Sequence, residues 1–218
     1  MEEIRVFQND MFEKYPVLTD VWGAVDGLKL TVQAHGNHYE QVHNYNGWTH
    51  GHYINSLFTF APNGKICLCV LNAPGIFHDS TMADYSVYDA LEKIYLETGS
   101  KVVVDSAFKM GTRDFLVKSS QDVGDGDADA IVNNNAATSV RQLSEWGMRM
   151  IQASHPRLRD PLPIFCPTER RVILRLMVHL FNFQASQVGM NQILNSFIDH
   201  DGYYNYGTIS DDANYLLM

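Results

Sequence analysis

With 218 residues, 45% of them hydrophobic and 19% charged, the chain is long enough for one domain with a sizeable core and too apolar to be disordered. Its formal net charge of −9 argues against a freestanding nucleic-acid binder, because phosphate affinity rests mainly on Lys and Arg, but leaves room for an enzyme whose acidic centre holds cations. Three cysteines make no disulfide framework, no apolar run reaches the roughly 18 residues of a membrane span, and the start Met1-Glu-Glu-Ile carries no signal-peptide pattern, so a soluble intracellular protein is expected.

Residues 1–20 read as a lead-in broken at Tyr15-Pro16, and the folded domain as residues 21–198. From Val21 the text is strand-like, with Leu28, Leu30 and Val32 alternating with polar neighbours. Asp26 has the parity of that apolar set, and Gly27 after it predicts a bulge that re-aims the carboxylate and admits a ligand or metal close by. His35 to Asn46 reads as a polar loop. A strand over Tyr53–Phe60, the turn Pro62-Asn63-Gly64 and a strand over Ile66–Leu71 complete three antiparallel strands in sequence. Cys67 and Cys69, two apart, are expected on one face of the last strand as buried apolar groups.

His78-Asp79-Ser80 opens a helix running from Thr81 to about Glu97, with Asp79 or Ser80 as its N-cap. Lys101-Val-Val-Val104 then reads as a short strand buried on both faces, reached by a crossover that makes it parallel to its neighbour. An irregular region containing Phe115-Leu-Val-Lys118 follows. The acidic piece Asp122 to Asp129 lacks the Gly and Glu positions of a calcium loop and is taken as solvated. Ser139-Val-Arg-Gln142 predicts a capping box and a helix to about Ser154, on which Arg141, Glu145 and Arg149 share one face. Thr168 caps a further helix to about Val188, apolar nearly all round and so expected at the centre of the core. Residues 199–218 read as a surface tail. The fold class is α/β, a mixed sheet of three antiparallel strands followed by parallel ones, flanked by helices.

An ionised carboxylate at the end of a strand as apolar as Val102–Val104 is costly unless compensated. Asp105 stands there, and Asp26 and Glu145 are the carboxylates expected to reach it. Three such groups, two on strands and one on a helix, suit two Mg²⁺ or Mn²⁺ ions, which favour carboxylate oxygens and serve phosphodiester cleavage. The plain alternative for Glu145 is a surface ion pair with its flanking arginines; the sharper one places those arginines for phosphate. His50 and His52, with His35, His38 and His43 upstream, allow a zinc site, but no Cys pair accompanies them and exposed or satisfied histidines are the default.

The strings Trp22-Gly-Ala-Val-Asp26-Gly27, Tyr45-Asn-Gly-Trp-Thr-His-Gly-His-Tyr53, Ala73-Pro-Gly-Ile-Phe-His78-Asp79-Ser80, Val104-Asp105-Ser-Ala-Phe108 and Arg141-Gln-Leu-Ser-Glu145-Trp-Gly-Met148, in that order, resemble the endonuclease domain of PIF/Harbinger-type DDE transposases. The resemblance implies an RNase H-like fold, a catalytic Asp26–Asp105–Glu145 triad and Mg²⁺-dependent nicking and joining of DNA. Asp79 matches the family's His-Asp-Ser motif, where helix capping is favoured over metal contact; His78, Arg141 and Arg149 are secondary candidates. Such transposases usually carry a helix-turn-helix region ahead of the nuclease, whereas 25 residues precede Asp26 here. The expectation is therefore a shortened or host-retained relative that reaches DNA through a separate DNA-binding partner, in the nucleus of a eukaryotic cell, with homodimerisation open. A catalytically idle scaffold of the same fold is the alternative.

Overall fold

The computed structural model describes residues 1–34, 36–119, 128–188, 192–197 and 216–217. A mixed sheet forms its centre. β1 (Val21–Thr31) runs antiparallel to β3 (Gly51–Phe60), which runs antiparallel to β4 (Ile66–Pro74). β5 (Lys101–Val104) and then β6 (Leu116–Lys118) add in parallel on the other side of β1. β2 (Tyr45–Asn46) pairs with the start of β3, and β7 (Leu216–Leu217) lies parallel along β4. The strand order is β6-β5-β1-β3-β4-β7. Three antiparallel strands followed by parallel ones, with helices on both faces, is the α/β arrangement expected from the sequence, and it is consistent with an RNase H-like fold.

Two cores separate at the sheet. On one face Ala24, Leu28, Leu30, Phe58, Phe60 and Val103 meet α5 (Ala128–Ser154), α6 (Pro167–Val188) and α7 (Gln192–Phe197). On the other, Val25, Leu57, Val102 and Val104 meet α3 (Asp79–Asp84) and α4 (Val87–Thr98). The central strands are therefore apolar on both sides, which is why Val102, Val103 and Val104 are all fully buried.

Several elements differ from their sequence reading. The lead-in is a helix, α1 (Glu2–Lys14), whose Phe7 stacks near Trp22 at 6.5 Å and whose Met11 is wholly buried. Ile4, Phe7 and Met11 carry the helical spacing that marks it. Part of the supposed loop before β2 is α2 (His38–Asn44), capped by Asn37, whose side chain accepts the Tyr39 amide at 2.9 Å. No bulge forms at Gly27: β1 and β3 stay in register from Ala24 to Thr31, and the irregularity in β1 falls between Val21 and Gly23. The expected single helix after Asp79 is two, α3 and α4, divided at Tyr85 and Ser86.

α5 begins eleven residues before Ser139, at Ala128, so the predicted capping box lies inside a helix and Ser139 Oγ instead donates to the Asn135 carbonyl. α6 begins at Pro167, placing Thr168 within its first turn, and it is flank rather than centre. Leu174, Met177, Val178 and Phe181 are buried, while Val172, Leu176, Leu180 and Phe183 are exposed on the opposite side. Cys67 and Cys69 face different layers, because β4 slips register at that point and the i, i+2 rule fails. Burial pushes both thiols upward, Cys69 to about 12. Most of the supposed tail, and residues 122–127 of the acidic stretch, lie outside the described residues; Asp129 is in the first turn of α5 and Leu216–Leu217 form β7. Among the described residues no helix is long and apolar enough to cross a membrane.

Candidate metal centre

β1 and β5 are parallel neighbours in which Ala24 pairs with Val103 and Val25 with Val104. The next residue on each strand is an aspartate, Asp26 and Asp105. Side chains alternate along a strand, so both carboxylates take the side already used by Ala24 and Val103, the face covered by α5. Parallel register thus brings together two residues 79 positions apart. β5 stops at Val104, and the Asp105 side chain shapes the turn beyond it by accepting the Ala107 amide at 2.8 Å.

The third member is Asp79. It is the first residue of α3, and the cap is His78, in extended conformation with no side-chain capping bond. The carboxylate of Asp79 is not spent on the helix end, contrary to the capping role expected for it; it lies instead against Gly27. A Cβ built on Gly27 would fall 2.7 Å from Asp79 Oδ2 and closer still to the other carboxyl atoms. Gly27 is required there for close approach, not for a bulge. Asp26, Asp79 and Asp105 each offer an oxygen such that all three lie within 4.8 Å of one another, and each residue is half-buried. Among the described residues this is the only such grouping of His, Cys, Asp or Glu side chains.

Glu145 is outside that group. It pairs with Arg141 at 3.3 Å, one turn back on α5, and is partly exposed. Arg149, one turn on, is exposed. The residue that α5 turns toward the aspartates is Ser144, whose Oγ lies 3.5 Å from Asp26 Oδ2 but 2.7 Å from the Arg141 carbonyl. A hydroxyl has one proton, and the shorter contact takes it. Asp26 Oδ2 is left without a strong donor, while Oδ1 accepts the Gly27 amide at 2.7 Å. Gly147 lets α5 lie this close to the sheet: a Cβ there would come within 2.5 Å of the Phe60 ring.

Electrostatics follow from that packing. Burial, and then the neighbouring charges of Asp105 and Asp79, push the Asp26 carboxyl up to about 7, against the Gly27 amide and Arg141, which pull it down. Asp79 is also raised, first by burial and then by Asp105, with Lys29 and His78 opposing. Three hard oxygen donors, crowded, shielded and mutually repelling, fit a divalent cation of the Mg²⁺ or Mn²⁺ kind. Among the described residues the histidines form no group that could hold a metal: the His50 ring nitrogen lies 3.3 Å from the Tyr45 hydroxyl, His52 packs on the Tyr45 ring, and His35 lies outside the described residues.

The sequence reading missed how directly Asp79 enters the cluster, although the signal was available: a Gly beside Asp26 implies a neighbour pressing on the backbone. Neither a curated protein nor a solved structure matches the chain. A family model described as DDE superfamily endonuclease matches residues 25–182, which includes all three aspartates and Glu145. The chain is a member of the DDE superfamily endonucleases.

Proposed function

We propose that the chain is a metal-dependent DNA endonuclease of the PIF/Harbinger transposase type, cleaving phosphodiester bonds at the Asp26–Asp79–Asp105 centre. The observation that carries this reading is the meeting of the three carboxylates within 4.8 Å at the end of β5 and the start of α3. Two Mg²⁺ or Mn²⁺ ions bound there would supply the positive charge that activates a water and offsets the charge on the departing 3′-oxygen.

The chain's own residues do the positioning. Paired strands fix the separation of Asp26 and Asp105, and Gly27 admits Asp79 as the third oxygen ligand. Glu145 would serve a second ion by leaving its pair with Arg141 on α5, which would free that guanidinium to pair with a DNA phosphate. His78, next to Asp79, and Arg149, one turn beyond Glu145 on α5, would be further phosphate contacts. The net charge of −9 leaves general affinity for the DNA backbone to be supplied from elsewhere, so we place the chain with a separate DNA-binding partner, in the nucleus of a eukaryotic cell, and with a second copy as one arrangement.

The test is an Asp105→Asn variant. It is expected to keep its far-ultraviolet circular dichroism and to lose Mn²⁺-supported nicking of plasmid DNA. Nicking at the wild-type rate by that variant would remove Asp105 from the mechanism. Calorimetric titration with Mn²⁺ completes the comparison: metal affinity without cleavage of any DNA would favour a catalytically idle scaffold.

A further inference from the structure

One tryptophan is turned out to solvent. Trp48 is 92% exposed, whereas Trp22 is fully buried. It sits at the tip of the hairpin formed by β2 and β3, where Asn46 faces Gly51 and Tyr45 faces His52. The tip is shaped rather than loose. Asn46 Oδ1 accepts the amides of Trp48 at 3.0 Å and Thr49 at 3.2 Å, and His50 takes the left-handed conformation with φ 53°. At Gly51 the missing side chain gives way to the Tyr53 ring, whose nearest atoms would come within 2.7 Å of a Cβ.

The hairpin is tied to the carboxylate centre by two routes. β3 runs from the tip to Leu57, which pairs with Gly27, the glycine under Asp79. α2 joins it to the loop that ends in His78 and Asp79: the Ile76 amide donates to the His43 carbonyl at 3.4 Å. The same loop is held to β3 by Asn55, whose amide donates to the Phe77 carbonyl at 2.6 Å. From Leu57 to Gly51 is six residues of extended strand (57−51), which spans roughly 20 Å, or about six steps of a stacked nucleotide strand.

The segment that carries the hairpin lacks the acidic charge that repels phosphate. The chain has 25 acidic residues, yet none falls between Glu40 and Asp79, a stretch that holds Trp48, Tyr45, Tyr53, His50 and His52. Around Trp48 the tip residues Asn46, Gly47, Thr49 and His50 are polar or lack a side chain, and the other exposed aromatic groups of the hairpin and α2, Tyr45 and Tyr39, carry hydroxyls. Exposed aromatic faces among hydrogen-bonding groups are what unpaired nucleobases stack on.

We propose that Trp48 is a DNA-positioning residue that stacks on an unpaired nucleobase about six nucleotides from the phosphate held at the aspartates, an inference that rests on the endonuclease reading for its substrate. Binding of a fluorescently labelled single-stranded oligonucleotide of about twelve nucleotides is measured by anisotropy at low salt in EDTA, where no metal is present. Wild type is compared with Trp48→Ala and Trp48→Phe. The expected result is a dissociation constant raised about tenfold or more by Trp48→Ala and changed about threefold or less by Trp48→Phe, the range for one base–aromatic stack. Thermal melting of both variants should match wild type, because the side chain is almost wholly in solvent.

No binding by wild type, equal binding by all three proteins, or equal loss in Ala and Phe would each overturn the proposal. Because EDTA removes the chemistry, the outcome is independent of whether Asp105→Asn loses nicking. A Trp48-dependent complex beside an Asp105→Asn enzyme that still nicks would sink the metal centre and leave the stacking residue standing.

Discussion

Asp26 carries two roles that pull against each other. It ends the apolar run of β1, where burial favours its neutral form, and it belongs to a centre that needs it ionised. Its carboxyl is raised to about 7 from an unfolded value near 3.8, so the metal-free folded state holds a proton that the unfolded state releases. Between those values folding takes up protons, and the stability contributed by Asp26 is full below about pH 4 and lost as pH rises toward 7. Metal-free wild type should therefore lose melting temperature across that window relative to Asp26→Asn, in which the site cannot titrate. Metal binding has the opposite slope, since the ion competes with the proton: the Mn²⁺ dissociation constant from calorimetry should fall as pH rises through 7. A flat affinity from pH 6 to 8 would show that Asp26 is already ionised without metal.

Gly27 offers a second test at the same scale. Gly27→Ala places a methyl against the Asp79 carboxylate, and something must shift. Overpacking of this kind costs about 1–3 kcal/mol, read by urea denaturation, and Mn²⁺ affinity should drop by about tenfold or more as Asp79 is displaced. Unchanged metal affinity would remove Asp79 from the ligand set.

At the level of elements, the position of α5 against the sheet decides how close Ser144 and Arg141 come to Asp26. That position depends on Gly147, whose hydrogen faces the Phe60 ring. Gly147→Val should destabilise the fold by about 1–3 kcal/mol and move α5 outward, with the Asp26 carboxyl reporting the change through a shifted metal-binding pH profile. The sequence made some of these elements plain and hid others for physical reasons. Val102–Val104, ended by Asp105, was readable because a strand buried on both faces has no polar alternation to confuse it. α1 and the first turns of α5 were not: Asn133, Asn134, Asn135 and Thr138 are weak helix formers, and tertiary packing through Ala137 and Val140 overrides them. The break between α3 and α4 also carries no Pro or Gly to announce it. Of the centre itself, Asp26 and Asp105 were legible from the strand pattern. Asp79 was taken for a cap because Asp before a helix is usually one, and only the backbone contact with Gly27 separates the two roles.

For the whole molecule, a site assembled from β1, β5 and α3 exists only when the sheet is closed. A cation that binds this folded form alone stabilises it by mass action, about 2.7 kcal/mol at a concentration one hundred times the dissociation constant. Mn²⁺ should accordingly raise the melting temperature of wild type and leave that of Asp26→Asn or Asp105→Asn nearly unmoved.

β5, four residues long between β1 and β6, has little ladder of its own to resist local opening. An ion shared by Asp26 and Asp105 would act as a rivet across that seam, tying the end of a short strand to its long neighbour. Deuterium uptake at the Val102 and Val103 amides is the gauge: slower exchange with Mn²⁺ present would mean that the same contact which prepares the chemistry also keeps the middle of the sheet shut.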